Sequence, residues 1–256
     1  MTFLQNTFRF SLIPVFIISI TACSAEDIAE LLGVKIDADN AADVARAALD
    51  MAEVSDLAEE VTDLVAGTGP DINETINCAD VPGVAGSGTA TVVGTAGATG
   101  DDLTVTYASC TMNDFTINGS LNVTSSTTGD IETETVSGNL TVDAGDTGES
   151  FSIKNYSMLS TRDKVIGDYT KDFGMTVSLP IIGDIVIDTP TPFTGNNDSN
   201  LTDKPETGVM TVTEINSGVE LTAEGNSTGY SLALDSNGDR TYETPVLNGG
   251  STIFAW

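Results

Sequence analysis

The feature that most constrains this chain is a period of two. Leu103, Val105 and Tyr107 alternate with Thr and Ala, and Phe115, Ile117, Gly119, Leu121 and Val123 alternate with Thr116, Asn118, Ser120 and Asn122. The pattern returns at Val136, Leu140 and Val142, at Phe151 and Ile153, at Met175, Val177, Leu179 and Ile181, at Val219, Leu221 and Ala223, and at Tyr230, Leu232 and Leu234. Successive side chains of a strand point to opposite faces, so this alternation makes a sheet with one apolar and one hydrated face. Clusters of Gly, Asn and Asp separate the runs, so consecutive strands are expected to join as hairpins and pair antiparallel. The expectation over 88–256 is a mainly β domain, an antiparallel hairpin-built sheet; sandwich, part-barrel and curved sheet remain open. Pro180, Pro190, Pro192 and Pro205 bracket residues 180–206, which are expected to leave the sheet as a long excursion. The phrase Gly-x-Leu-x-Val occurs at Gly119 to Val123 and at Gly138 to Val142, hinting at repeated hairpins.

One N-terminal amphipathic helix is expected over 39–67. Val44, Ala47, Met51, Val54, Ala58, Val61 and Val65 recur at steps of three and four, flanked by Leu57 and Leu64, with Glu53, Glu59, Glu60 and Asp63 opposite. Asp39 or Asn40 can cap it, Asp43 suits the positive end of its dipole, and Gly67 and Pro70 close it. Its small side chains suit close packing on the chain's own sheet. Residues 68–87, rich in Gly, Thr and Ala, read as a linker, and residues 23–38 as a short tether.

The first 22 residues carry one cation, Arg9, and an apolar run from Phe10 to Ile20 broken by Ser11, Pro14 and Ser19. That run is too short for a span of about 20 residues and reads as a signal peptide. The site that follows, Ile20-Thr21-Ala22-Cys23, resembles the lipobox of bacterial lipoproteins. The resemblance implies cleavage after Ala22 and modification of Cys23 with acyl chains such as palmitate, three in all, which anchor far more firmly than one. Ser24 stands where Asp would signal inner-membrane retention, so the resemblance implies a lipid-anchored protein of the cell envelope, on the outer membrane. The C-terminal Phe254-Ala255-Trp256 resembles the closing signal of outer-membrane barrels, but aromatic residues are only 6% of the chain, too few for two girdles. A last strand that places Trp256 in the core is the preferred reading.

The formal net charge is −29, and removing the leader takes away Arg9 and no acid. Such a surface repels nucleic acid and anionic headgroups, so the membrane is expected as a partner only through the lipid. Histidine is absent, which excludes the Ser-His-Asp triad and histidine metal sites. No organised nucleophile and base stand in for it, and the chain is read as a non-enzyme. Acidic pairs such as Asp101 and Asp102, or Glu132 and Glu134, are read as solvated. With Cys23 lipidated, Cys78 and Cys110 form an even pair in an oxidising compartment and are expected as a disulfide.

One cluster is site-like. Asp235, Asn237, Asp239 and Glu243 can place three carboxylates and an amide carbonyl around a hard cation, calcium being the candidate, although Arg240 competes with it. Without calcium the same residues make an Asn-Gly hairpin, and no other cofactor is expected. The functional expectation is a non-enzymatic envelope lipoprotein, a structural or interaction module with an envelope protein as its partner. The first alternative is a carrier of an apolar ligand held between helix and curved sheet. The second is a carboxylate-based hydrolase of cell-wall or surface polymers.

Overall fold

A computed structural model describes residues 35–52, 54–65, 70–81, 86–112, 115–144, 150–179, 183–196, 205–223, 229–243 and 253–255. The leader, Cys23 and Trp256 lie outside the described residues, and the expectations that rest on them are not addressed by the fold. Two helical segments, α1 (Ala41–Ala52) and α2 (Val54–Val65), stand where the amphipathic stripe predicts a helix. Asn40 precedes α1, and its carbonyl accepts the Val44 N–H at 3.0 Å.

The strands are β1 (Asp71–Asn77), β2 (Thr89–Gly97), β3 (Gly100–Met112), β4 (Phe115–Thr128), β5 (Ile131–Ala144), β6 (Ser150–Asp163), β7 (Asp168–Leu179), β8 (Gly183–Asn196), β9 (Thr207–Thr213), β10 (Gly218–Ala223), β11 (Gly229–Asp235) and β12 (Ile253–Ala255). They form one sheet whose spatial order is the sequence order, every neighbour antiparallel. Of the three architectures left open, the structure is the curved sheet. Two expectations need correction. β1 lies inside the stretch 68–87 read as a linker. Residues 183–196, read as part of an excursion, are the 14-residue strand β8.

β8 accommodates its prolines by losing register. Pairing with β7 passes from Lys171 opposite Phe193 directly to Gly174 opposite Asp188, so residues 189–192, with Pro190 and Pro192, face only Asp172 and Phe173. Proline has no N–H to give to a ladder, and bulges are where a sheet tolerates it. Thr189 repairs the break: its Oγ1 accepts the Phe173 N–H at 2.8 Å and lies 2.6 Å from Asp172 Oδ1.

The same devices bend the sheet elsewhere. Gly119 of β4 faces Leu140 of β5, and Leu121 faces Gly138, so the twofold Gly-x-Leu-x-Val phrase is a reciprocal glycine–leucine pair. Gly119 has φ +127° and Gly138 φ +158°; a Cβ on either would run into the carbonyl oxygen of the facing strand, Asn139 or Ser120. Beside this pair, Ser109 and Asn155 adopt positive φ at bulges of β3 and β6. Each bulged N–H is taken by an asparagine of the neighbouring strand, Asn118 Oδ1 at 2.8 Å and Asn139 Oδ1 at 2.9 Å. Glycines without bulk on the inner face and bulges beside them increase twist and coiling.

The helix lies on the concave face. α1 packs against β9, β10 and β11, and α2 against β1 to β4. Alanines 41, 45, 47, 48, 52 and 58 are buried and bring the helix backbone close to the sheet, with Val44, Leu49, Leu57 and Val61 beside them. Tyr156 of β6 donates its hydroxyl to the Ala52 carbonyl at 2.7 Å. At the start of the described chain, the Ile36 N–H bonds Ser217 Oγ at 2.9 Å, which ties residue 36 to the β9–β10 turn. Cys78 and Cys110 form the expected disulfide, with Cα atoms 5.6 Å apart, at that same end of the sheet. The β4–β5 and β6–β7 hairpin tips lie at the opposite end.

Candidate functional site

The inner face of the sheet is apolar over most of its height and polar at the end away from Ser217. The register shows how. Ser125 of β4 is opposite Glu134 of β5, Glu134 opposite Ser160 of β6, and Ser160 opposite Lys171 of β7. Each stands two residues from a buried apolar side chain of its own strand: Val123, Val136, Met158 and Phe173. Side chains two apart share a face, so the row Ser125, Glu134, Ser160 and Lys171 belongs to the inner face. Asp101 of β3 extends it; its N–H donates to Ser125 Oγ at 3.1 Å, and that hydroxyl donates to Asp101 Oδ2 at 3.2 Å. One layer further out, Glu132 pairs with Lys164 at 3.4 Å on the exposed rim.

The polar face of α2 carries Asp56, Glu59, Glu60 and Asp63. Glu134 is half-buried, and its Oε1 is shielded from solvent without a hydrogen-bond partner among the described residues. Burial pushes its carboxyl up to about 8, with Glu59 the neighbouring charge that adds most and Lys171 drawing it back. Glu59 is exposed to solvent, so water screens its charge more than that of the half-buried Glu134. Desolvation, then Asp56 and Asp63, raise Glu59 to about 7 against the pull of Lys171. Glu60 is raised by burial and by Asp63 and Asp56. A carboxyl in this state donates a hydrogen bond when protonated and demands a cation when it is not. The structure thus corrects the reading of Glu134 as solvated.

Deeper in the face, Tyr107 is buried with its hydroxyl unpartnered among the described residues, and burial raises its pKa well above the usual phenol value. Tyr156 is raised too, by burial first, and the hydrogen bond from its hydroxyl to the helix needs it neutral.

The residues singled out for calcium form a turn that bonds to itself. Asp235 is 1% exposed. Its Oδ1 accepts the Asn237 and Gly238 N–H groups at 3.1 and 2.7 Å, and its Oδ2 accepts the Arg240 N–H at 2.9 Å. Burial works against its charge, but the backbone donors of Arg240, Asn237, Gly238 and Asp239 outweigh that and hold its carboxyl below the ordinary value. Asn237 Oδ1 accepts the Asp239 N–H, Asn237 Nδ2 donates to Asp239 Oδ2, and Asp239 Oδ1 accepts the Thr241 N–H. Glu243 meets the turn through its backbone, in a bridge with Leu234. Among the described residues no three acidic or thiol side chains are gathered to hold a metal ion.

Comparison with models of known protein families, with curated proteins and with solved structures yields no match for this chain. No helix among the described residues is long and apolar enough to cross a membrane.

Proposed function

We propose that the protein is a non-enzymatic lipoprotein of the cell envelope, anchored through Cys23 to the outer membrane and acting there as a structural or interaction module. The address is supported by Ile20-Thr21-Ala22-Cys23. The structural observation that carries the rest is the occupied concave face: where a half-barrel carrier would take an apolar ligand, this chain lays its own alanine-rich helix. About a dozen residues separate Cys23 from Lys35, a reach of at most about 43 Å. With residue 36 tied to Ser217, the anchor turns the β9–β10 end toward the membrane and leaves the β4–β5 and β6–β7 tips facing away. On the latter tip Val165 and Ile166 are exposed, two apolar side chains at the far end of an acidic body.

The test has two arms. In cells fed labelled palmitate, the wild type takes up label, and Cys23→Ser remains an unlabelled precursor; equal labelling removes the anchor from the proposal. Native mass spectrometry of protein purified from its own envelope should find no stoichiometric lipid beyond the covalent one. A bound, extractable lipid favours the carrier reading instead.

A further inference from the structure

We propose that β1 is a docking edge that takes up an extended, cationic segment of another protein as a further strand of the sheet. The proposal deepens the reading of the chain as an interaction module and rests on it. β1 ends the sheet, paired among the described strands with β2 alone. The Ala96 N–H donates to the Pro70 carbonyl at 2.9 Å and the Cys78 N–H to the Gly88 carbonyl at 3.1 Å, so the even-numbered residues of β1 bond toward β2. In an antiparallel ladder the alternate residues turn their N–H and C=O groups the other way. Asp71, Asn73, Thr75 and Asn77 therefore direct theirs off the edge, where these groups have no partner among the described residues. All four residues are exposed. The register with β2 is unbroken from Asp71 to Asn77, and neither a bulge nor a proline within the strand blunts the edge against a further strand.

Side chains decide what this edge accepts. Ile72, Glu74 and Ile76 share the inner face; Ile72 is buried, Ile76 is half-buried against the core, and Glu74 between them is exposed. A strand laid beside β1 continues that face, so it needs apolar side chains next to Ile72 and Ile76 and a cation next to Glu74. An inward-facing charge at an edge turns away wholly apolar strands, and a matching cation answers it. Asp71 and a formal net charge of −29 favour the approach of a basic segment. The same charges refuse a second copy of the chain. In the antiparallel register that uses all four open residues, Asp71 would face Asn77 and Glu74 would face Glu74, and like charges directly opposite work against pairing. The occupant is a segment of the pattern apolar-x-Lys/Arg-x-apolar, held by main-chain bonds and selected by its middle residue.

The test uses the mature chain and a synthetic heptapeptide, Thr-Val-Thr-Lys-Thr-Val-Thr, with amide exchange resolved by nuclear magnetic resonance. At saturating peptide the Asn73 and Thr75 N–H groups should exchange about tenfold more slowly or less, while those of β5 keep their rates. The peptide with Glu in place of Lys should bind about tenfold more weakly, and Glu74→Lys, altered at an exposed side chain, should reverse that preference. Asn73→Pro removes an N–H that the ladder with β2 does not use and should abolish binding of either peptide. If that variant does not fold, the charge reversal at Glu74 decides alone. Unchanged exchange at Asn73 and Thr75 in millimolar peptide overturns the proposal, as does equal affinity for the two peptides. Exchange at these positions that slows as the concentration of the chain alone rises makes the occupant a second copy and overturns it too. Failure of the peptide leaves the lipid anchor and the occupied concave face standing, since palmitate labelling and native mass spectrometry test those separately.

Discussion

Replacing Thr189 by Val tests the account of how β8 keeps two prolines inside a sheet. Valine matches threonine in shape and removes only the hydroxyl. That hydroxyl accepts the Phe173 N–H at 2.8 Å, and its own proton reaches Asp172 Oδ1 at 2.6 Å. Thr189 is 5% exposed and Phe173 2%, so water does not replace the lost acceptor. A buried N–H left without a partner costs about 1–3 kcal/mol. The added methyl returns about 0.8 kcal/mol, and the half-exposed Asp172 finds water instead. The net expectation is a loss of about 2 kcal/mol, or roughly 5 °C in melting temperature for a chain of this length. Urea denaturation of the mature chain should show a lower midpoint with an unchanged slope, because the surface exposed on unfolding is the same. Thr189→Ser keeps the acceptor and should lose no more than about 1 kcal/mol. A neutral Thr189→Val, or a Thr189→Ser as damaging as the valine, would show that the hydroxyl is not what closes the bulge.

The remaining predictions concern the ends and middle of the core. Cys78→Ala with Cys110→Ala opens a loop with a sequence separation of 32 and should lower unfolding free energy by about 3–4 kcal/mol on the chain-entropy estimate, with the far-ultraviolet circular dichroism of the sheet retained; free thiols at both positions in the native protein would refute the bridge. Leu57, 4% exposed where α2 meets the sheet, should cost a few kcal/mol as Leu57→Asp in thermal melts at neutral pH, and near-neutral stability would place the helix in solvent.

The helix and most strands were legible because each writes its period into a single line of sequence. The stripe from Val44 to Val65 and the alternation through β4 and β10 need no partner to be seen. What escaped depends on pairs. β8 is hidden because proline argues against a strand, and only the loss of register opposite Asp172 and Phe173 makes room for it. β1 merges with a linker because its pattern is weak: Ile72 is buried, Ile76 is half-buried and its other side chains are exposed, as expected of an edge strand. Glu134 carried a usable signal, since it is in phase with Val136, Leu140 and Val142. Acidic residues on β-strands are usually solvated, and that expectation outweighs the phase. Asp235 stands out in the sequence by its charge. Its part as an acceptor for three backbone N–H groups follows from the shape of the turn, which composition does not show. The devices that favour curvature, Gly119 facing Leu140 and Gly138 facing Leu121 with the bulges beside them, are cross-strand relations that no alternation pattern contains.

The strictly sequential strand order has a consequence for how the chain is made. Every ladder joins neighbours in sequence, so each hairpin from β2 to β7 can close as soon as its second strand emerges into the compartment where the chain folds, with little loop entropy to overcome. The helix has no such freedom. It is synthesised before any strand, yet α1 rests on β9, β10 and β11, and residue 36 bonds a serine 181 positions later. While the chain emerges, the alanine-rich stripe of α1 therefore has no surface to dock on, and the part of the growing sheet beyond β4 has an uncovered apolar face. That interval, in which both halves of the core are exposed to other chains, ends only when β11 arrives.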